Sequence, residues 1–499
     1  MKRTLCTILS LCLSLLLCVS CTPAPSAPAD TQTEAEQTAA TADTAAAPIE
    51  TDTQAPETET AEPAAPPVSS LNGVPLADFA IVYAEEDHDY SLRAAEYVQS
   101  EILSRTGLTL PLAEDSDEPA AAYEIVVGET SREISARLDA DTHGVQFAIL
   151  AEDGRVALEG DYFMIAAAAY YFVETYVPAD NFPAEIPETV SVHEPIVKPA
   201  KNFMILIGDG MGLYQSLLFS QRENDLEYSD GEDTFYGYYL PYFGFARTNS
   251  LSGTTDSAAA GTALATGYKT YNEYIGQDKD HNEIQSLTEL AASLGMSTAV
   301  MSTEKSDGAT PAAFSAHADD RDYSAEIRAD QGALRRACGT IVACGFNYYT
   351  DRLIENKLES RIATVLNMLN QNEKGFFLMY EEAYIDDHSH ANNIGKAFEA
   401  VARFNQAIGR FMEFAFYHPD TFVLITADHE TGGLMPNDEG IYAYNRTDHS
   451  SQHVPVFAYG AGGELFDGRL VENVQIPQTI AAFMGVEDFG DQEIYRPLN

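Results

Sequence analysis

The chain has 499 residues, 45% of them hydrophobic, which is enough for two domains with substantial cores. Its 28 basic residues face 77 acidic ones, and the net charge of −49 excludes stable nucleic-acid binding, because a phosphate backbone needs a positive field. The same field slows encounter with polyanions and so favours small anionic substrates.

The amino terminus, Met1-Lys2-Arg3 followed by an apolar stretch to Val19, has the charged start and short hydrophobic core of a secretory signal peptide over residues 1–20. It is too short and wrongly flanked for a membrane span. Cleavage after Ser20 exposes Cys21, and residues 17–21 resemble a bacterial lipoprotein processing site. The expectation is an exported protein held at the cell membrane, on its extracytoplasmic side, by a lipid on Cys21. An ordinary cleaved signal with a soluble product is the alternative. Residues 22–70 lack Lys, Arg and aromatic side chains, so they cannot bury enough apolar surface to fold. Residues 21–70 therefore read as a lipid-attachment cysteine followed by a disordered acidic linker.

From 71 to 197 the pattern predicts a small α+β domain. Residues 79–83 and 123–127 read as strands. Leu92, Ala95, Val98 and Ile102 recur at helical spacing before Gly107, a helix stop. Residues 145–150 and 155–159 flank Asp153-Gly154, a hairpin signal, and Asp161 is placed to cap an apolar helix over 162–176. This domain looks similar to small α/β modules ahead of catalytic domains in some secreted carbohydrate-active proteins, which implies a spacer or binding role.

Between 198 and 499 apolar strands alternate with helical stretches at 284–294, 361–369 and 397–416, as expected for helices covering a largely parallel sheet. The interval 214–243 interrupts this alternation and reads as rim or interface. Its Tyr214, Tyr236, Tyr238, Tyr239 and Tyr242 suit packing on a sheet edge or contact with a leaving group. Cys338 and Cys344 remain outside the signal region. An exported location permits a disulfide between them, and two buried free thiols fit equally.

Chemistry-bearing residues follow the strands. Residues 203–207 lead to Asp209 within Gly-Asp-Gly-Met-Gly, 376–380 lead to Glu381 and then Asp386 and His390, and 422–427 lead to Asp428-His429. His449 precedes a further buried strand at 454–457. In open α/β sheets ligands gather outside the carboxyl ends of strands, so these side chains can converge. Ser257, in Thr-Thr-Asp-Ser-Ala-Ala-Ala-Gly, stands near the first turn of a small-residue helix whose free N–H groups favour negative charge on its oxygen. No general base accompanies it, and imidazole with carboxylate suits zinc.

Taken together, these motifs resemble the alkaline phosphatase family over roughly residues 200 to 490. The resemblance implies a largely parallel sheet sandwiched by helices, and two zinc ions. Asp386, His390 and His449 would hold one zinc; Asp209, Asp428, His429 and the Ser257 oxygen would hold the other. It also implies one magnesium ion on Asp209, Thr310 and Glu381, with Arg321 clamping the phosphate. The function implied is hydrolysis of small phosphate monoesters through a phosphoserine on Ser257, by two displacements with net retention at phosphorus. A homodimer is compatible with it. Two metals about 3.5–4 Å apart can stabilise both the attacking and the departing oxygen, and the guanidinium fork matches two phosphate oxygens.

This chain departs from the family twice. Gly308 stands two residues before Thr310, where an aspartate or histidine is usual, and Asp387 follows Asp386, where a lysine or histidine is common. Asp387 is expected at the hydration shell of the third metal in place of the missing group. The alternative functions are a phosphodiesterase or sulfatase of the same superfamily, and a non-catalytic surface glycan-binding lipoprotein. His281, His317, His388 and His453 are expected to be structural or solvent-facing.

Overall fold

The computed structural model describes residues 69–499 apart from 85–88, 118–119, 139–144, 180–181, 219–234, 346–354 and 439. The signal-peptide, lipid-anchor and linker expectations fall on residues 1–68, outside the described residues. Ser70 pairs with Pro75 and with Pro183.

The larger sheet is built from β1 (Asn202–Gly208), β2 (Tyr242–Arg247), β3 (Ser297–Ser302), β4 (Ile341–Cys344), β5 (Phe376–Glu382), β6 (Thr421–Thr426), β7 (Val454–Tyr459) and β8 (Leu470–Glu472). Their order across the sheet is β4-β3-β5-β1-β6-β7-β2-β8. β7 runs antiparallel to both neighbours, and every other neighbouring pair is parallel. The central strands β1, β5 and β6 are buried along their whole length. That is why they appear in the sequence as unbroken apolar runs rather than alternating ones. Because β1, β5 and β6 point the same way, Asp209, Glu381 and Asp428 arrive at one edge.

A second, six-stranded sheet lies within residues 80–193. The strands Leu112–Glu114, Ala80–Tyr83, Glu124–Val127 and Arg155–Glu159 are parallel in that order, and Phe147–Glu152 and Ser191–His193 continue it antiparallel. The hairpin turns at Asp153 and Gly154, both with positive φ as such a turn demands. Gly107, with φ +75°, ends the helix Tyr90–Thr106. The apolar helix begins at Met164 rather than 162. Asp161 contributes its backbone carbonyl to the Met164 N–H, and the residue flanking the helix start, Phe163, makes no side-chain cap.

Both sheets share one continuous core through the helix Ile394–Tyr417. Tyr97 stacks on Tyr417 with ring centres 4.3 Å apart, Phe163 lies over Phe416, and Arg93 Nε donates to Glu413 Oε1 at 2.8 Å. The described tyrosines of the 214–243 interval are partly buried and pack against this core. Tyr236 and Tyr239 contact Tyr162 and Phe163, Tyr238 packs on Phe457 of β7, Tyr242 opens β2, and Tyr214 meets Tyr442. Cys338 and Cys344 are free thiols, each half-buried, and burial pushes the Cys344 thiol up to about 12.

Candidate active site

Asp209 stands just past β1, Glu381 near the end of β5, and Asp428-His429 just past β6. Asp386 and His390 lie one turn apart on the short helix Tyr384–His390 that follows β5. His449 starts a two-residue strand paired with Glu430-Thr431. Gly210 is needed between these elements. Its φ is +72°, its N–H donates to Asp428 Oδ1 at 3.0 Å, and a Cβ there would sit 2.8 Å from Asp386 Oδ1.

The two expected ligand sets come together as two adjoining clusters. In the first, His390 Nε2 lies 3.2 Å from Asp386 Oδ2 and 3.1 Å from His449 Nε2, and His449 Nε2 is 3.6 Å from Asp386 Oδ1. In the second, His429 Nε2 lies 3.2 Å from Asp428 Oδ2 and 3.6 Å from Asp209 Oδ1. The clusters touch through the rings of His429 and His449, stacked with centres 3.6 Å apart. Ligand atoms of Asp386, His429 and His449, and likewise of Asp209, Asp428 and His429, all lie within 4.8 Å of one another.

Hydrogen bonds on the far side of each ring fix the tautomer. Nδ1 of His449 faces the Thr255 carbonyl at 2.8 Å, and Nδ1 of His390 faces that of Thr447. A carbonyl can only accept, so each Nδ1 carries hydrogen, and Nε2 is the nitrogen that faces the cluster and would ligate a metal there. Thr431 ties the two clusters. Its hydroxyl donates to Asp386 Oδ1 at 2.5 Å and lies 3.2 Å from His429 Nδ1.

Ser257 is the first residue of the helix Ser257–Thr266, and its Oγ lies 3.2 Å from His429 Nε2. Asp256 caps that helix, Oδ1 accepting from Ala259 N at 2.9 Å. Its Oδ2 accepts from Arg321 Nη1 at 3.2 Å, which ties the guanidinium to the residue directly before Ser257. Sequence reasoning passed over Asp256, although an acidic residue directly before a helical run is itself a capping signal. Nothing in the sequence marks Thr431 apart from its place two residues after His429.

The polar atoms facing these clusters are under-satisfied. Asp209 Oδ1, Asp428 Oδ2 and Glu381 Oε1 are all buried without a hydrogen-bond partner. Leaving an acceptor so costs on the order of 1–3 kcal/mol, and more when it is charged. Burial, then the neighbouring Asp428, Asp386, Glu381 and Glu304, drives the Asp209 carboxyl well above the usual range. Burial and Glu304 do the same to Glu381, although Ser302 donates to its Oε2 at 2.5 Å. Burial also opposes ionisation of Asp386, but His390, His429, His449 and the Thr431 hydroxyl outweigh it and hold this carboxyl far below the usual range. Orphaned oxygens on crowded carboxylates, with imidazole nitrogens facing them, form a donor set that fits divalent cations.

Two features stand beside this set. Thr310 sits on the helix Ala309–Ala313, close enough for its hydroxyl to lower the Glu381 carboxyl. Asp387 is exposed, its carboxyl raised by partial desolvation and by Asp386.

The known proteins that this chain resembles agree with the geometry. The family model for alkaline phosphatase matches residues 200–347 and 344–447. Alkaline phosphatase 4 of Bacillus subtilis is 31% identical over 296 residues, which cover 48% of this chain and 63% of that protein. The chain thus spans less than two thirds of that relative's length. Among solved structures, the alkaline phosphatase of the Antarctic bacterium TAB5 superposes with a TM-score of 0.52 at 26% identity, covering 58% of this chain and 100% of the other. A mutant of that enzyme with magnesium bound in its M3 site superposes at 0.51, with the same identity and coverage. The largely parallel sheet, the strand-end clusters and these matches lead to one conclusion: the chain belongs to the alkaline phosphatase family.

Proposed function

We propose that this protein is a metal-dependent phosphatase that hydrolyses small phosphate monoesters, with Ser257 as the nucleophile. One observation carries the reading: Ser257 Oγ, at a helix N-terminus, lies 3.2 Å from His429 Nε2 at the junction of the two ligand clusters. Asp386, His390 and His449 would hold one zinc ion, and Asp209, Asp428 and His429 with Ser257 a second, since mixed nitrogen and oxygen donors suit that metal. Asp209, Thr310 and Glu381 offer oxygen only, which suits magnesium. The magnesium in the M3 site of the TAB5 relative supports that choice. When bound, the cations supply the positive charge that makes a serine oxygen nucleophilic at neutral pH and neutralises the departing oxygen.

The chain's own residues do the rest. Arg321, held by Asp256, offers a planar fork to two non-bridging phosphate oxygens and sets the phosphorus in line with Ser257 Oγ. The Ser257 oxygen attacks, the bond from phosphorus to the ester oxygen breaks, and the alcohol departs with a proton. Water then attacks the phosphoserine from the vacated side, releasing inorganic phosphate and restoring the hydroxyl. Two inversions give net retention. The free N–H groups of the first helical turn favour the negative oxygen throughout.

Ser257→Ala is the direct test. Acid quenching during turnover of a labelled phosphomonoester should trap phosphoprotein in the wild type and none in the variant. Label trapped on the variant would move the nucleophile elsewhere. Parallel assays with a phosphodiester and a sulfate ester, with and without zinc, separate the monoesterase from its superfamily alternatives. Activity with none of the three would favour a glycan-binding surface protein.

The same reading places the enzyme outside the cell. Residues 1–20 would direct export, a lipid on Cys21 would anchor the chain, and residues 22–70 would hold the enzyme off the membrane. Residues 71–197 would serve as a spacer that also braces the catalytic region.

A further inference from the structure

Gly308 precedes the helix Ala309–Ala313 with φ −62° and ψ 158°, a conformation open to any residue, so its backbone does not explain the glycine. Space does. A Cβ at this position would lie 1.7 Å from Glu304 Oε1, 2.0 Å from its Cδ and 2.4 Å from Oε2. The Glu304 carboxylate is folded back over Gly308, into the volume that any side chain at 308 would occupy.

Gly308 is two residues before Thr310, so that carboxylate lies beside the segment that carries the Thr310 hydroxyl. Ser302 Oγ, which donates to Glu381 Oε2 at 2.5 Å, also accepts the Glu304 N–H at 3.0 Å, so one hydroxyl ties the Glu381 carboxylate to the Glu304 backbone. Glu304 is the largest charge acting on Glu381, and it acts on Asp209 as well. Its own carboxyl is pushed up to about 7 by burial, with Asp387, Asp307 and Asp386 adding to that and Arg321 opposing it. The ion pair of Arg321 is with Asp256, so the guanidinium attracts Glu304 only from longer range. Meanwhile Glu381 Oε1 and Asp209 Oδ1, both more than nine-tenths buried, lack a hydrogen-bond partner, and the buried Thr310 hydroxyl lies close to Glu381.

We propose that Glu304 is a ligand of the third cation, completing an all-oxygen set with Glu381, Thr310 and Asp209, and that Gly308 is glycine so that the Glu304 carboxylate can enter. The cation is hard and divalent, with magnesium the best match to carboxylate and hydroxyl donors. Asp387, the carboxylate that acts most strongly on Glu304, is itself exposed to solvent. This inference rests on the three-cation reading given above.

The test uses the full chain, stripped with a chelator and reloaded with two equivalents of zinc. Magnesium is then titrated by calorimetry, and bound metal is counted by mass spectrometry. The wild type should take up one magnesium. The isosteric Glu304→Gln variant should bind it about 10–100-fold more weakly, the scale on which metal sites lose affinity when a supporting group is removed. The swap Glu304→Ala with Gly308→Asp, which supplies a carboxylate from the other side of the same space, should recover most of the affinity. Unchanged magnesium binding in Glu304→Gln would overturn Glu304 as a ligand while leaving three cations in place. A swap that binds as weakly as the Gln variant would also overturn it. A wild type that takes up no magnesium beyond its zinc would overturn the three-cation reading and this inference with it.

Discussion

Asp256 combines three contacts in one carboxylate, and they differ in what they hold. Oδ1 caps the nucleophile helix through Ala259 N; Oδ2 receives Glu273 N at 3.0 Å and Arg321 Nη1 at 3.2 Å. The cap bears on stability, and under the proposed function the arginine contact sets where phosphate would be held. Asp256→Asn keeps an oxygen for the cap but removes the charge that fixes the guanidinium. A charge-assisted hydrogen bond is worth roughly 1.5–3 kcal/mol, so kcat/KM should fall about 10–100-fold with only a small change in melting temperature. Asp256→Ala should lose a further ~1 kcal/mol of stability through the cap. Steady-state kinetics and thermal melts of both variants check this, and an unaltered kcat/KM in Asp256→Asn would remove the positioning role.

His317 shows how neighbouring elements position Arg321, four residues further on. Its ring Nδ1 lies 3.0 Å from Asp330 Oδ2 on the helix Ser324–Cys338, and its Nε2 lies 3.0 Å from the Ile284 carbonyl and 3.6 Å from Glu289 Oε2 on the helix Leu287–Ser293. Both ring nitrogens face acceptors, so the ring carries both protons. Burial opposes that charge, but Asp330, Glu289 and the Ile284 carbonyl outweigh it and raise the pKa to about 9. A histidine whose pKa is higher folded than unfolded stabilises fully below its ordinary value of 6.5, and that stability is lost as pH rises through about 9. Two to three pKa units correspond to at most roughly 3–4 kcal/mol. Urea unfolding at pH 6 and pH 9.5 should therefore show His317→Gln converging on the wild type at the higher pH; a constant difference between the two proteins would exclude the titration.

At the same scale, the legible elements were those with a single unambiguous signal. β1, β5 and β6 are unbroken apolar runs, and Ile394–Tyr417 keeps helical periodicity over 24 residues. Gly107 and Asp153-Gly154 marked their turns through φ. The strands that escaped notice, β2, β3, β4 and β8, are short, lie toward the sheet edges or carry Ser, Thr and Arg, so no period stands out. Among the candidate site residues, those that the structure clusters could be named from sequence because their types are chemically specific and follow strands. Asp256, Thr431 and Glu304 could not, because their contacts depend on how distant segments pack. Gly308 is the sharpest case: sequence marks a missing side chain there, and only the packing shows another side chain filling the gap.

For the whole molecule, the decisive element is the helix Ile394–Tyr417, which meets β5 and β6 on one side and residues 71–197 on the other. Glu413 is almost wholly buried, paired with Arg93 at 2.8 Å from the small sheet's side and with Arg410 on its own helix. Phe163 covers Phe416 and also Tyr236, so the apolar cover extends onto the 236–239 turn. A fragment starting at residue 198 would bare this face, an exposed apolar patch of the kind that drives association, and would strip Glu413 of its Arg93 partner. The two sheets should therefore melt together. Calorimetry of the zinc- and magnesium-loaded chain should show one transition, and a fragment covering 198–499 should elute as aggregate from a sizing column. Two resolved transitions, or a monodisperse and active fragment, would show that the small sheet is a detachable spacer and that the shared helix contributes little to the stability of the catalytic region.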